Sequence, residues 1–294
     1  MTEARVTDFY ADKNDCVVGV RIRCPDRSIE HVGCETLVLA TCGFGGNNEM
    51  ITTLIPEMSD ARYFCHEGNR GDGILWGKAL GGAVGDMSAY QGLGTLAVPH
   101  QIVVPHPLLI EGGFLVNIEE RRFAHELSNI SGMCVPVLAQ AQGLAWVVSD
   151  ECLNRDSLEH SVDQRKLEEV GAIRRGNSWA ALERVCNLPL GSLRRENDEI
   201  GAARAGNYAD RFGRRHEGPA ALKSPFCAVR VTGAIFHTQG GLLIDGNAQV
   251  IRDDRSPLPN LYAGGGVARS ISGKRVTGYL PGASDFAWPS PSEP

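Results

Sequence analysis

The stretch LVLATCGFGGN, residues 37–47, decides how the chain is read. Residues 36–40, TLVLA, are a short continuous apolar run, the composition of a strand buried on both faces in a parallel sheet. Cys42, Gly43, Phe44, Gly45 and Gly46 follow as a glycine-rich turn. Such a turn tolerates positive φ and lets backbone approach a ligand closely. Asn47 or Asn48 then caps a helix beginning at Glu49.

Upstream, residues 4–10, 16–22 and 29–32 are rich in β-branched residues and are separated by polar turns. They predict an antiparallel meander. Downstream, GDGILWGKALGG (71–82) has apolar residues at helical spacing and ends on paired glycines, a plausible C-cap. From Met87 the character changes. Pro, Gly and His recur through 92–113, and helical stretches follow near 163–172, 178–186 and 194–204. The charge-dense 194–204 segment carries both signs and reads as a solvated helix face. β character returns at 227–236, 241–244 and 258–263. The Pro-rich DFAWPSPSEP (285–294) reads as unstructured. No internal repeat is found. The layout predicts a discontinuous α/β domain, 1–86 and 237–294, with a second domain, 87–236, inserted.

The 294 residues are 43% hydrophobic and 22% charged, the balance of a globular protein with a sizeable core. The net charge of -6 and scattered basic residues argue against nucleic acid as a partner. No apolar run approaches the ~20 residues of a membrane span, and the N-terminus lacks a secretory h-region. The nine cysteines show no CxxC and no Cys/His cluster at zinc-ligand spacing. They read as buried, reduced thiols of a cytoplasmic protein, with no metal.

Five short motifs in one order carry a resemblance: LVLATCGFGGN (37–47), HEGNRGDGILWGKALGGAVGDM (66–87), EGGFLVNIEERRFAHE (111–126), FHTQGGLLID (236–245) and PLPNLYAGGGVARSISG (257–273). The chain resembles the FAD-dependent oxidoreductases of the fumarate reductase/succinate dehydrogenase type, including tricarballylate and 3-ketosteroid dehydrogenase-like members. The resemblance covers nearly all of 1–285. It implies an α/β fold with an α+β cap: a partial FAD-binding domain with a β-meander, interrupted by a fumarate reductase-type cap. It implies FAD as cofactor and hydride transfer between flavin and an activated C–C bond of a carboxylate or ketone.

Site residues follow from the matched motifs. His237 corresponds to the histidine that holds the substrate's carboxylate or carbonyl; without the resemblance it reads as a satisfied core residue. Glu111 matches an acidic residue near the substrate. Tyr279, in GYLPG, is a candidate proton donor, with packing as its competing role. Arg121 and Arg122 can hold an anionic substrate bidentately, and the alternative for Arg122 is an ion pair with Glu126. Arg275 and Arg269 lie in the loop where fumarate reductases keep an anion-binding arginine. Thr41, Gly43, Gly45, Asp72, Gly265 and Gly266 are candidate cofactor contacts. Asp72 reads equally well as a helix cap. The triple glycine 264–266 follows a buried-looking strand, an arrangement that suits a ligand at the strand's carboxyl end.

The chain also departs from the family pattern. It contains no GxGxxG, the turn that grips the FAD pyrophosphate at a helix N-terminus, and it lacks the family's long C-terminal helix. Cys42 replaces a glycine. Leu93 stands where relatives have a pocket histidine, Gly266 where many have an acid, and Ile130 or a neighbour where fumarate reductases have a catalytic arginine. These departures imply either that the chain is one fragment of a larger enzyme or that a companion chain or a homo-oligomer completes its cofactor site. The competing readings are a flavin-free ligand-binding protein and a non-redox hydrolase or lyase built on His237 with Glu111 or Tyr279. No GxSxG elbow supports the last.

Overall fold

The structure is a computed structural model and describes residues 2–119, 121–215 and 221–272. In chain order the elements begin β1 (Arg5–Ala11), β2 (Val17–Arg23), β3 (Ile29–Gly33), β4 (Leu37–Leu39), α1 (Asn48–Leu54), β5 (Arg62–Tyr63), α2 (Asp72–Ala79) and β6 (Val84–Gly85). They continue with β7 (Tyr90–Ala97), β8 (Ile102–Val103), α3 (Pro107–Ile110), β9 (Phe114–Asn117), α4 (Cys134–Leu138), β10 (Leu144–Asp150), α5 (Glu151–His160) and α6 (Val162–Glu169). The last are β11 (Arg174–Gly176), α7 (Trp179–Cys186), α8 (Ser192–Arg204), β12 (Phe226–Thr238), β13 (Gly241–Leu242), β14 (Gln249–Ile251) and β15 (Pro257–Ala263). The chain divides into two compact units: Met1–Ser59 with Cys65–Gln91 and Phe236–Pro294, and Asp60–Phe64 with Gly92–Ile235.

In the first unit, β1, β2 and β3 form the antiparallel meander. A second sheet has the order β14-β15-β4, with β15 parallel to β4. One side chain fastens the two sheets: Asn260 accepts from Val17 N at 2.8 Å and donates to the carbonyls of Val17 and Glu35. β4 is buried on one face only, contrary to the reading of TLVLA as covered on both. It lies at the sheet edge, and Val38 is 63% exposed. Asn47 caps α1, its side chain accepting from Met50 N. The end of α2 follows from its glycines. Gly82 N donates to Gly77 O and Gly81 N to Lys78 O, with Gly81 at φ +86. That is the paired bonding by which a left-handed glycine satisfies the last helical carbonyls.

The second unit is built on a sheet of order β8-β7-β12-β10-β9, with β11 and β5 also pairing with β12. Its strands read as near-continuous apolar runs because both faces are covered. Side chains alternate between faces along each strand. Leu115, Ala145, Val147, Cys227, Val229 and Val231 enter one cluster, which includes Leu167 of α6. Phe114, Val116, Trp146, Val148, Phe226 and Ala228 enter the other, with Leu182 and Cys186 of α7 and Leu193 and Ile200 of α8. Trp179 stacks on Phe226 with ring centroids 3.6 Å apart.

Not all cysteines are buried. Cys134, Cys186 and Cys227 are, but Cys42, Cys65 and Cys152 are exposed, and no cysteine is in a disulfide. Cys227 is held as a thiol: burial pushes it up to about 12, helped by Glu151. The tail 285–294 lies outside the described residues. No described helix is long and apolar enough to cross a membrane.

Candidate active site

In the first unit β4 and β15 end side by side, Gly264 N donating to Leu39 O at 3.0 Å. Each strand then enters a glycine turn. Gly43 is buried, and a side chain there would collide with the Thr238 hydroxyl. A Cβ on Gly266 would lie 3.1 Å from Gly43 N. The two turns therefore pack backbone to backbone, which only glycine permits. Gly264 and Gly265 are different. A Cβ on either meets nothing within 4 Å, and Gly265 has φ +65. Open space borders the end of β15. Gly45 is buried in the first turn, and Gly73 of α2 packs on the Thr41 hydroxyl.

β12 delivers His237, Thr238 and Gln239 to this region. Thr238 is buried, and its hydroxyl accepts from Phe44 N at 3.0 Å. His237 is half-buried and lies beside Phe236, with ring centroids 5.9 Å apart and planes at 26°. Gln239 is 2% exposed. Its backbone is pinned on both sides, N donating to Ala89 O at 2.8 Å and O accepting from Ser270 N at 2.9 Å. Among the described residues its carboxamide nevertheless has no hydrogen-bond partner at Oε1 or Nε2, and neither has the buried hydroxyl of Thr41. Orphaned buried polar atoms of this kind are rare in folded chains and mark a missing ligand, water or ion. Sequence reading stopped at His237 and missed Gln239; the polar pair Thr238-Gln239 ahead of Gly240-Gly241 was the available signal.

The remaining predicted residues are dispersed. Asp72 sits in the first turn of α2, and its carboxylate pairs with Arg5 at 3.1 Å. Arg269 is 3.7 Å from Asp86. Arg275 and Tyr279 lie outside the described residues. Glu111, Arg121 and Arg122 belong to the second unit. Glu111 is exposed and lines a mainly apolar cavity of about 650 Å³ with Leu108, Leu153, Leu222, His160 and Lys223. Arg121 is exposed in a turn, its N donating to Asn117 Oδ1.

Arg122 takes the ion-pair alternative. Nε and Nη2 donate to the two oxygens of Glu126 at 2.7 and 3.0 Å, and Nη1 donates to Asp210 at 2.6 Å. Burial alone would lower its pKa, but Glu126 and then Asp210 outweigh it and hold the guanidinium charged. Arg214 joins the network through Glu126 and the carbonyls of Gly113 and Leu109. No edge of the Arg122 guanidinium is left for a substrate. Leu93 is buried in β7, and Ile130 is 50% exposed.

The family defined by this fold is shown directly: residues 1–285 match the FAD binding domain family, and the chain belongs to it. It is similar to a probable fumarate reductase of Shewanella frigidimarina, 26% identical over 92% of this chain and 45% of that protein. It is also similar to an NADH:acrylate oxidoreductase of Vibrio harveyi, 29% identical over 95% of this chain and 28% of that one. Among solved structures, an open flavocytochrome c3 fumarate reductase matches with TM-score 0.80 and 25% identity, over 96% of this chain and 49% of that chain. A 3-ketosteroid Δ1-dehydrogenase from Sterolibacterium denitrificans shares the fold, with TM-score 0.72 at 19% identity. The chain spans about half the length, or less, of these relatives. Its family is that of FAD-binding oxidoreductases with fumarate reductase-like members, and its fold is mixed α and β.

Proposed function

We propose that this chain contributes the flavin-ring end of an FAD site and the substrate histidine of an oxidoreductase acting on an activated C–C bond of a small carboxylate or ketone. The observation that carries this reading is the Gln239 carboxamide, buried and without a partner on a pinned backbone. Thr41, Gly43, the 264–266 turn and Gln239 would hold the cofactor, and they fit it. The glycine turn borders open space, and two polar side chains lack partners. FAD, when bound, supplies the hydride acceptor or donor.

His237 lies two residues before Gln239 at the end of β12. It orients the substrate's carboxylate or carbonyl by a hydrogen bond, charge-assisted when the ring is protonated. By resemblance Tyr279 serves as proton donor and Arg275 as anion clamp. Arg122 instead holds the second unit together through Glu126 and Asp210.

The test is anaerobic turnover of reduced FAD by the full chain with fumarate, acrylate and a cyclic enone. His237→Ala is expected to lower kcat/KM about 10- to 100-fold, the worth of one hydrogen bond to a charged group. Unchanged kcat/KM in His237→Ala removes the histidine from the site. No turnover with any of the three refutes the assigned chemistry.

A further inference from the structure

Arg204 closes α8 in the second unit. Its Nε and Nη1 are buried without a hydrogen-bond partner among the described residues. The arginine stands close enough to a network of ion pairs to feel the Arg214 charge. Arg122 and Arg214 carry two positive charges, and Glu126 and Asp210 answer with two negative ones. Arg211 has its own partners in Glu196 and Glu199. Arg204 pairs with none of these acids. Burial first, and then the nearby Arg214 charge, pull its pKa below the ordinary guanidinium value, with no acid opposing them. His106 does not compensate, because burial and then Arg214 favour its neutral ring. A guanidinium cannot shed its proton to escape burial as a lysine or histidine does. An unpaired buried cation is costly, and a partner of opposite charge relieves it.

The surroundings leave room for that partner. Gly112 faces the guanidinium with φ +132, and a methyl group there would lie 3.7 Å from Nη2. The absence of a side chain keeps the approach to Nη2 clear. Arg204 as a whole is only partly buried, and Nη2 is not among its buried nitrogens.

We propose that Arg204, at the Gly112 turn, is a binding site for a small oxyanion, a carboxylate or phosphate, which pairs with a guanidinium that no described protein group meets. The planar fork of arginine matches such groups, donating to two of their oxygens at once. The site is independent of the flavin reading, because it needs neither the first unit nor a cofactor.

Calorimetric titration of the full chain, without FAD and at fixed ionic strength, tests it with inorganic phosphate and with succinate. Saturable binding of one equivalent is expected for at least one of them, and the tighter anion identifies the source. R204M keeps the apolar stem, folds, and should bind at least tenfold more weakly. R204K should retain weakened binding. R194M removes an exposed arginine on the same helix and should bind like the unaltered chain. In anion-free buffer R204M should melt at or above the unaltered chain. Absence of saturable binding for both anions, or equal affinity in R204M, overturns the proposal.

Discussion

In the second unit the Glu126 carboxylate, with no exposed surface, accepts from Arg122, Arg214 and the backbone of Leu115. In the first unit the Gln239 carboxamide, almost as deeply buried, makes no hydrogen bond among the described residues. Both side chains are polar and both are held on fixed backbone. The difference is one of completion. Glu126 finds every partner within the chain, so its environment is a finished structural network. Gln239 leaves a donor and an acceptor that no described residue meets, which is the mark of a place reserved for something else. Arg204 is the second unit's own instance of the incomplete kind.

The comparison breaks most visibly at Glu126. Glu126→Ala leaves Arg122 and Arg214 buried with one carboxylate between them. It should cost about 3–5 kcal/mol in a denaturant melt; a loss under 1 kcal/mol would show that the network is not structural. Next in size is Gln239→Leu, which removes the orphaned carboxamide. Stability should hold or rise, since an unsatisfied buried amide costs about 1–3 kcal/mol, while FAD affinity falls. A variant that loses stability and keeps its flavin would reverse the assignment.

Cys42 sharpens the contrast at the first glycine turn. It adopts φ +56, where an L side chain is strained. Cys42→Gly should raise stability by about 1 kcal/mol, read as a higher melting midpoint. His106 gives a pH signature in the second unit. Its folded pKa is lowered by burial and by Arg214, so the unfolded chain takes up its proton first. Stability should fall as pH drops below about 6.5, and His106→Gln should lose that part of the acid sensitivity. The smallest effect is chemical. At pH 8 an alkylating agent should modify exposed Cys65 and Cys152 and leave Cys227 unmodified.

Much of the fold was legible because hydrophobic period and punctuation agree. The β-meander, the strand–glycine turn–helix at 37–54 and the capped α2 can each be read from adjacent residues. Helices α6, α7 and α8 appear where apolar spacing is helical. The α5 sequence ECLNRDSLEH did not stand out; Asn154 is its one buried residue, so it carries no apolar stripe. TLVLA reads as doubly buried because composition cannot distinguish a central strand from an edge strand; Val38 shows which it is. The site was harder. His237 was visible through its motif, but what distinguishes Gln239 is the absence of a partner, and that exists only once the chain is folded. Arg122 reads equally as substrate clamp or ion pair until Asp210, 88 residues away, completes its pairing.

The central claim is that the first unit keeps the flavin-ring end of an FAD site. It is tested most directly by titrating the full chain with FAD and following the flavin absorbance near 450 nm, for the unaltered protein and for Gln239→Leu. The account predicts saturable uptake by the unaltered chain, and an affinity at least tenfold weaker in Gln239→Leu with its melting midpoint preserved. A chain that takes up no FAD, or a variant that binds it equally well, would contradict it.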